Sequence, residues 1–396
     1  MSTIPSIAGT LTRAQVASMA VATGTTVANL YYSQPILGDM AASLHVTGAQ
    51  AGVVPILSQA GFAIGLVFVA PLGDLIDRKR LVIALEAMLC VALLALGVAP
   101  TLLAVYVAAF LTGVCATAVQ VIVPLAATLA PPERRGHVVS QVFTGTLTGI
   151  LSARIVAGLV AASWGWRAIF ELSASAAAGV ACLTAAMVPS EGVRHGQPYL
   201  RLLASTAAQW GRFATLRRVS LLGALTFGVF CAYWTTLTFE LRAAFGFHTR
   251  QIGLFGIAAV LGAAVSPLAG KLSDRLKPSR MQLVTLGVLL VGTLLAAAGA
   301  SSVWVLALAT VVIDVGVQAT QVSSLAQVYA LDPLANSRIN TVYIATFFTG
   351  GALGTTLGIQ AWRLDGWTAV CVLLCLLSAI ALVVAWRNAG DRSAAD

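Results

Sequence analysis

The chain has 396 residues, 59% of them hydrophobic and only 9% charged, with a mean hydropathy of +0.91 and a formal net charge of +9. A soluble domain carries about 25% charged residues, so a water-soluble enzyme or binding domain is excluded and lipid must solvate most of the surface. The positive balance calls for no nucleic-acid partner, because short basic loops beside membrane spans account for it.

Twelve apolar runs of about 20 residues recur, each long enough to cross roughly 30 Å of hydrocarbon as a helix. They are predicted at 14–37, 49–72, 81–99, 101–129, 138–162, 167–188, 219–240, 250–270, 281–299, 303–330, 339–361 and 367–387. Only Arg13 is basic ahead of the first run, which is too long and polar for a signal-peptide core, so no cleavage is expected.

Polar residues stand out against this background. The first run contains "NLYYSQPIL", with Asn29, Tyr31, Tyr32 and Gln34, and the second contains Gln59. Glu86 lies about six residues into the third, Gln120 lies in the fourth, Arg154 is the single basic residue inside the fifth, and Glu171 lies about five residues into the sixth. The segment 189–218 holds Pro189, Gly192, Gly196, Pro198 and five arginines, and reads as a linker. Beyond it, "CAYWTTLTFE" gives the seventh run Tyr233, Trp234 and Glu240, the tenth run carries Asp314, Gln318 and Gln321, and the eleventh carries Asn340 and Tyr343. The six cysteines fall inside spans with no CxxC, and the four histidines in loops or at helix ends. No metal site and no cofactor are expected.

Placing the N-terminus on the inner side puts 18 of the 23 Lys and Arg residues in cytoplasmic segments. Positive residues stay on that side, so both termini are expected to be cytoplasmic. Compared with itself at an offset of 201 residues, the chain aligns Gln50 and Gly52 with Gln251 and Gly253, and Gln120 with Gln321. The same register pairs Pro132 with Pro333, Gly149 with Gly350, and Gly165-Trp166 with Gly366-Trp367. The expected fold is all-α and integral to the membrane, twelve helices arranged as two six-helix repeats: a bundle over 1–188, the linker 189–218 and a second bundle over 219–396. Parallel repeats of this kind are known in secondary transporters, with the solute site near the midplane between the halves.

"PLGDLIDRKR" after the second run, echoed by "GKLSDR" at 270–275, resembles the loop motif of the major facilitator superfamily. "PPERRG", "WGWRAIF" and "RINTVYIATFFTGGALG" further resemble its drug:proton antiporter-like branch, in particular permeases grouped with arabinose efflux. The sequence departs from that pattern at Arg80, where the motif usually has glycine, and at Ala109, where many proton antiporters carry arginine. The resemblance implies a gate latch at Gly73, Asp77 and Arg78 and at their copies Gly270, Asp274 and Arg275, with the aspartate capping the N-terminus of a neighbouring helix.

Asp314, Gln318 and Gln321 are spaced by four and seven and project from one helical face. A carboxyl group removed from water holds its proton more readily, so Asp314, with Glu86 and Glu171, is a candidate for proton coupling; a buried network tying helices together is the competing reading. Arg154 costs roughly 2.5–3.5 kcal/mol in mid-membrane unless something offsets it. Its counter-ion is Glu171, Asp314 or an anionic substrate. Asn29, Tyr32, Gln59, Gln120, Arg154, Tyr233, Trp234, Gln318, Gln321, Asn340 and Tyr343 are candidates for the solute cavity. Glycines spaced by four, as in Gly61/Gly65, Gly145/Gly149 and Gly350/Gly354/Gly358, clear helix faces for close contact.

The expected function is proton-coupled efflux of a small organic or amphipathic solute by a monomer in the bacterial cytoplasmic membrane. Its partners would be the solute, protons and the bilayer, without ATP and without enzymatic chemistry. Proton-coupled uptake of a small organic anion is the alternative, and a membrane sensor the remoter one.

Overall fold

The computed structural model describes residues 11–192, 198–262, 278–332 and 335–393, and every regular element in them is helical. The first expected span is two helices, α1 (Arg13–Ala28) and α2 (Ser33–Ser43). Pro35 explains the break, since it has no N–H for the Tyr31 carbonyl and its ring crowds that carbonyl. The chain passes Asn29–Tyr32 as turn, the Asn29, Leu30 and Tyr31 amides bonding three residues back instead of four, and polar and aromatic side chains gather there.

The short α3 (Gly48–Ala51) leads into α4 (Val53–Phe68), which ends in a tight 3-10 turn at Ala70–Asp74. There follow α5 (Arg78–Val98), α6 (Leu102–Ala116), α7 (Ala118–Leu129), α8 (Arg135–Trp164) and α9 (Trp166–Met187). An amphipathic helix, α10 (Tyr199–Arg212), precedes α11 (Ala214–Ala243), α12 (Thr249–Leu254), α13 (Pro278–Ala298), α14 (Val303–Tyr329) and α15 (Asn336–Ser393). Among the described residues nine helical runs are long and apolar enough to cross a membrane. One of them, α15, changes direction at Asp365–Gly366, between the expected eleventh and twelfth spans. The expected eighth span is described only to residue 262.

Gly165 and Gly366, paired by the sequence repeat, both adopt positive φ (84° and 54°), a conformation glycine reaches without a Cβ penalty. Each is followed by a buried tryptophan, Trp166 or Trp367.

Glycine faces set the helix contacts. A Cβ on Gly145 would lie 2.0 Å from the Ala20 carbonyl oxygen, and one on Gly149 2.0 Å from that of Gly24, so α1 and α8 touch backbone to backbone. The later half repeats this between α11 and α15. A Cβ on Gly350 would lie 2.3 Å from the Ala224 oxygen, and one on Gly354 2.2 Å from that of Gly228. Gly61 likewise abuts Phe110 on α6. Small residues at such crossings permit dispersion contact along whole helix faces, the main attraction available where lipid replaces water.

The earlier and later helices meet along α4 with α15, α8 with α12, and α2 with α11. Gly158 of α8 faces Gly253 of α12 so closely that a Cβ on either would lie 2.5–2.6 Å from the other's Cα. Phe62 packs on Phe348 with ring centroids 4.3 Å apart. At the end of the bundle away from the Asp74–Arg80 turn, Arg242 of α11 donates to Asp39 of α2 at 2.7 Å and to Thr249 at 3.2 Å. That end also carries an open depression of about 1030 Å³, lined among others by Gly38, Gln50, Phe239, Arg242, Trp362 and Arg363.

Candidate functional site

The turn between α1 and α2 brings Tyr31, and the first turn of α2 brings Gln34, to the middle of the bundle, where α8 supplies Arg154. Arg154 is 2% exposed. Its Nε donates to Gln34 Oε1 at 2.9 Å. Its guanidinium carbon sits 4.0 Å from the ring centroid of Trp234 on α11, and 5.3 and 5.2 Å from those of Phe230 and Tyr31. Each such contact contributes about 0.5–2 kcal/mol, the upper end applying where water is excluded. Together with the amide bond they offset the cost of placing the charge in mid-membrane.

Trp234 presents its face to Arg154 and its edge to Asp314 of α14, donating from Nε1 to Oδ1 at 3.2 Å. Asp314 is 3% exposed. The two charges are therefore joined through an indole and not by a direct ion pair. The chain Gln34–Arg154–Trp234–Asp314 runs from α2 through α8 and α11 to α14, linking early and late parts of the sequence. Two donors in it, Arg154 Nη2 and Gln34 Nε2, are buried with no protein partner. Hydrogen-bonding capacity is left over where a solute could use it.

Of the three counter-ions considered for Arg154, the structure brings Asp314 near and not Glu171. Glu171 lies on an exposed face of α9 against Gly97 of α5, because helix rotation points it away from α8. Gln34, noted only as one polar residue of the first span, supplies the direct bond.

The remaining candidates fall into three groups. Gln59 is buried and its Oε1 accepts from Thr355 of α15 at 3.4 Å, joining two helices at the contact between the halves. Gln120, Gln318 and Gln321 are half-buried. The others make contacts within and between helices. Asn29 donates to the Thr25 and Thr26 carbonyls and accepts from Ser173 at 2.7 Å, holding the α1 break against α9. Tyr32 is buried beside it. The hydroxyls of Tyr233 and Thr310 are 2.7 Å apart, which fastens α11 to α14. Tyr343 packs its ring on Gly223, and Asn340 accepts from Tyr329 at 3.3 Å.

The expected latch has a different partner from the one the motif implies. Asp77 caps α5, the helix it begins, and not a neighbouring one. Its Oδ1 accepts from the Lys79 and Arg80 amides at 2.8 and 3.3 Å. Its Oδ2 accepts from the Ser190 hydroxyl and from the Gly192 amide at 3.2 Å, at the start of the linker. Arg78 pairs with Asp74 at 2.8 Å and Glu191 at 3.4 Å and donates to Thr128 at 3.2 Å. Burial raises the Asp77 carboxyl, but the four hydrogen bonds outweigh it and hold the group below the usual carboxylate range. Gly73 is not sterically forced, since a Cβ there would meet Arg78 and Val121 at ordinary contact distances of 3.4 and 3.5 Å. The copies Gly270, Asp274 and Arg275 lie outside the described residues. Among the described residues no cluster could hold a metal ion.

Spanning helices, a duplicated contact geometry and a buried polar chain between the halves define a multi-pass membrane transporter. The chain belongs to the Major Facilitator Superfamily, whose model matches residues 19–359. It is 34% identical over 98% of both chains to the uncharacterized transporter YgaY of Escherichia coli O157:H7. It is 28% identical over 69% of its own length, and 70% of the relative's, to a protein of Mycobacterium tuberculosis (strain ATCC 25618 / H37Rv) described as the probable nitrate/nitrite transporter NarK2. A chloramphenicol resistance protein of Streptomyces lividans is 28% identical over 65% of this chain and 66% of its own. Among solved structures, the peptide transporter POT in complex with sulfate superposes with a TM-score of 0.73 at 13% identity, over 94% of this chain and 92% of that one, a likeness of fold.

Proposed function

We propose that the protein is a proton-coupled secondary transporter that exports a small organic or amphipathic solute, as a monomer in the bacterial cytoplasmic membrane with both termini cytoplasmic. The reading rests on the chain Gln34–Arg154–Trp234–Asp314. It places a titratable carboxyl group, an arginine and three aromatic faces together at depth, between two bundles, 1–188 and 219–396, that would rock about them. Asp314 is the proton carrier in this scheme. On protonation it ceases to attract the Arg154 charge through the indole, which frees the guanidinium to exchange partners. Arg78 and Asp77 are the latch, and the basic Asp74–Arg80 turn faces the cytoplasm. The resemblance to the drug:proton antiporter-like branch and the likeness to a chloramphenicol resistance protein support export.

Uptake of a small anion is the second reading, favoured by one observation: the unpartnered polar atoms at the site, Arg154 Nη2 and Gln34 Nε2, are both donors. A guanidinium edge with an adjacent amide N–H suits a planar anion, and the partial likeness to NarK2 is in keeping with that. The deciding experiment is purified protein in liposomes with a pH-sensitive dye inside, challenged with drugs, sugars, organic acids and nitrate. Proton movement opposite to an amphipathic solute is expected. Proton movement together with an anion would establish the second reading, and solute flux without proton movement would defeat both.

A further inference from the structure

Glu86 lies within α5, fully buried, in the half of the sequence opposite Asp314, and the scheme above does not use it. Its Oε1 is 2.6 Å from the hydroxyl oxygen of Thr26 on α1, and its Oε2 is buried with no partner. The same Thr26 hydroxyl is also 2.6 Å from the Ala22 carbonyl oxygen, one turn earlier. A hydroxyl has one hydrogen and two lone pairs. That one hydrogen cannot fill both contacts, and since the Ala22 carbonyl can only accept, a second hydrogen can come only from Glu86, leaving the Thr26 hydrogen to Ala22. The second contact, equally short, then needs a hydrogen from the Glu86 side, because two acceptor oxygens facing each other at that distance repel. An ionised Glu86 would also leave a buried, unpaired charge with one oxygen wholly unsatisfied, which is far more costly than an unpartnered carbonyl of a neutral acid.

We propose that Glu86 is a second proton-binding site, occupied in this conformation, whose carboxylic O–H donates to Thr26. The groups around it leave the proton no rival. Thr26 faces it from α1 and Cys115 from α6. The 3-10 turn offers Asp74, which Arg78 engages. α7 carries no titratable side chain. On α9, Arg167 bonds Ser43 and the Ala99 carbonyl, Glu171 lies against Gly97, and Cys182 is exposed. Among the described residues no ion pair reaches Glu86.

Release changes a single covalent bond. The proton leaves the Glu86 oxygen for water, and the Thr26 hydroxyl must rotate its hydrogen from Ala22 to the new carboxylate. Thr26 belongs to the last turn of α1, just before the break that positions Tyr31 and Gln34. Occupancy of Glu86 therefore biases the angle at which Gln34 meets Arg154, some distance from Asp314. Its part in coupling rests on the proton-coupled reading above, whereas the bound proton itself does not.

The test is infrared difference spectroscopy on the full-length protein in lipid, titrated from mildly acidic to alkaline pH. Wild type minus Glu86→Gln is expected to contain the C=O stretch of a protonated carboxylic acid at neutral pH. That band should move to higher frequency in the isosteric Thr26→Val, which cannot hydrogen-bond, and persist in Asp314→Asn. A difference showing only carboxylate bands at neutral pH would overturn the proposal. Transport separates the two claims. Persistence of the Glu86 band alongside proton-independent wild-type flux would defeat the coupling reading and leave the site standing. A pH profile of transport shifted by Thr26→Val supports the coupling role, and a profile unmoved by both Thr26→Val and Glu86→Gln overturns it.

Discussion

Asp39 of α2 and Arg242 of α11 form a 2.7 Å ion pair that joins the two halves at the end away from the basic turn. Both side chains are about a third exposed (31% and 38%), so the pair contributes no more than about 1 kcal/mol. That still shifts a two-state equilibrium roughly fivefold. Asp39→Asn is expected to increase the population open at this end by that order. Pulsed electron paramagnetic resonance between spin labels at the exposed positions Ala42 and Arg250 would show the longer distance growing, and an unchanged distance distribution would refute it.

Asp314→Asn should abolish solute accumulation against a gradient while leaving counterflow exchange measurable. The amide keeps the size of the side chain and still accepts from Trp234, but cannot titrate. Retention of uphill transport by this variant would remove Asp314 from the proton path.

Arg154→Lys keeps the charge but loses the Nε bond to Gln34 and the flat stacking on Trp234. The Nη2 donor left over for the solute goes with the guanidinium, and a hydrogen bond to a charged group is worth roughly 1.5–3 kcal/mol, so solute affinity should fall about tenfold or more. Because Glu171 does not meet Arg154, the double variant Arg154→Ala/Glu171→Ala should melt at the temperature of Arg154→Ala alone. Recovery of melting temperature in the double variant would show that the two pair in lipid.

Asp77 has a depressed carboxyl, so its contribution is fully present above the ordinary carboxylate pKa and fades only as pH falls through the lower folded value. Its cap and linker bonds should therefore not vary with pH near neutrality. Asp77→Ala is expected to cost about 1 kcal/mol and to speed hydrogen exchange in residues 188–192 equally at mildly acidic and mildly alkaline pH. A pH-dependent difference between variant and wild type in that range would count against this account.

Gly149→Ala should lower the melting temperature in detergent, since its Cβ meets a carbonyl oxygen at 2.0 Å and the helices must separate, at a cost of about 1–3 kcal/mol. Gly179→Ala, where nothing lies within 4 Å, should raise stability by about 0.5–1 kcal/mol. Equal effects at the two sites would mean that the α1–α8 contact is looser than described.

Much of this architecture is legible in the sequence, because hydropathy and glycine spacing report directly on burial and helix approach. Gly145 and Gly149 are such a case, and so is the Gly165/Gly366 pair. Asp314 and Arg154 also stand out as charges at depth. What the sequence hides is rotation and bending. A carboxylate looks like the natural partner of Arg154, yet an amide and an indole hold it, because only the angular setting of α8, α9 and α11 decides which side chains face inward. Pro35 marks where the first span can break, but not that the break carries Gln34 to the guanidinium. The partner of Asp77 is likewise set by where the linker returns, which no local pattern encodes.

The crossing of Gly158 and Gly253 lies one helical turn from Arg154, and Gly253 also closes on the Arg154 carbonyl, 2.9 Å from where its Cβ would be. Surfaces lined with side chains interlock, and must climb over one another when they slide. Bare peptide has no rotamers to disengage, so in the rocking scheme proposed above these two helices would turn against each other with little friction. In that scheme the guanidinium would ride on the axle. Side chains around it can change to suit a different cargo without retuning the mechanics, whereas a single methyl group at the axle would jam them.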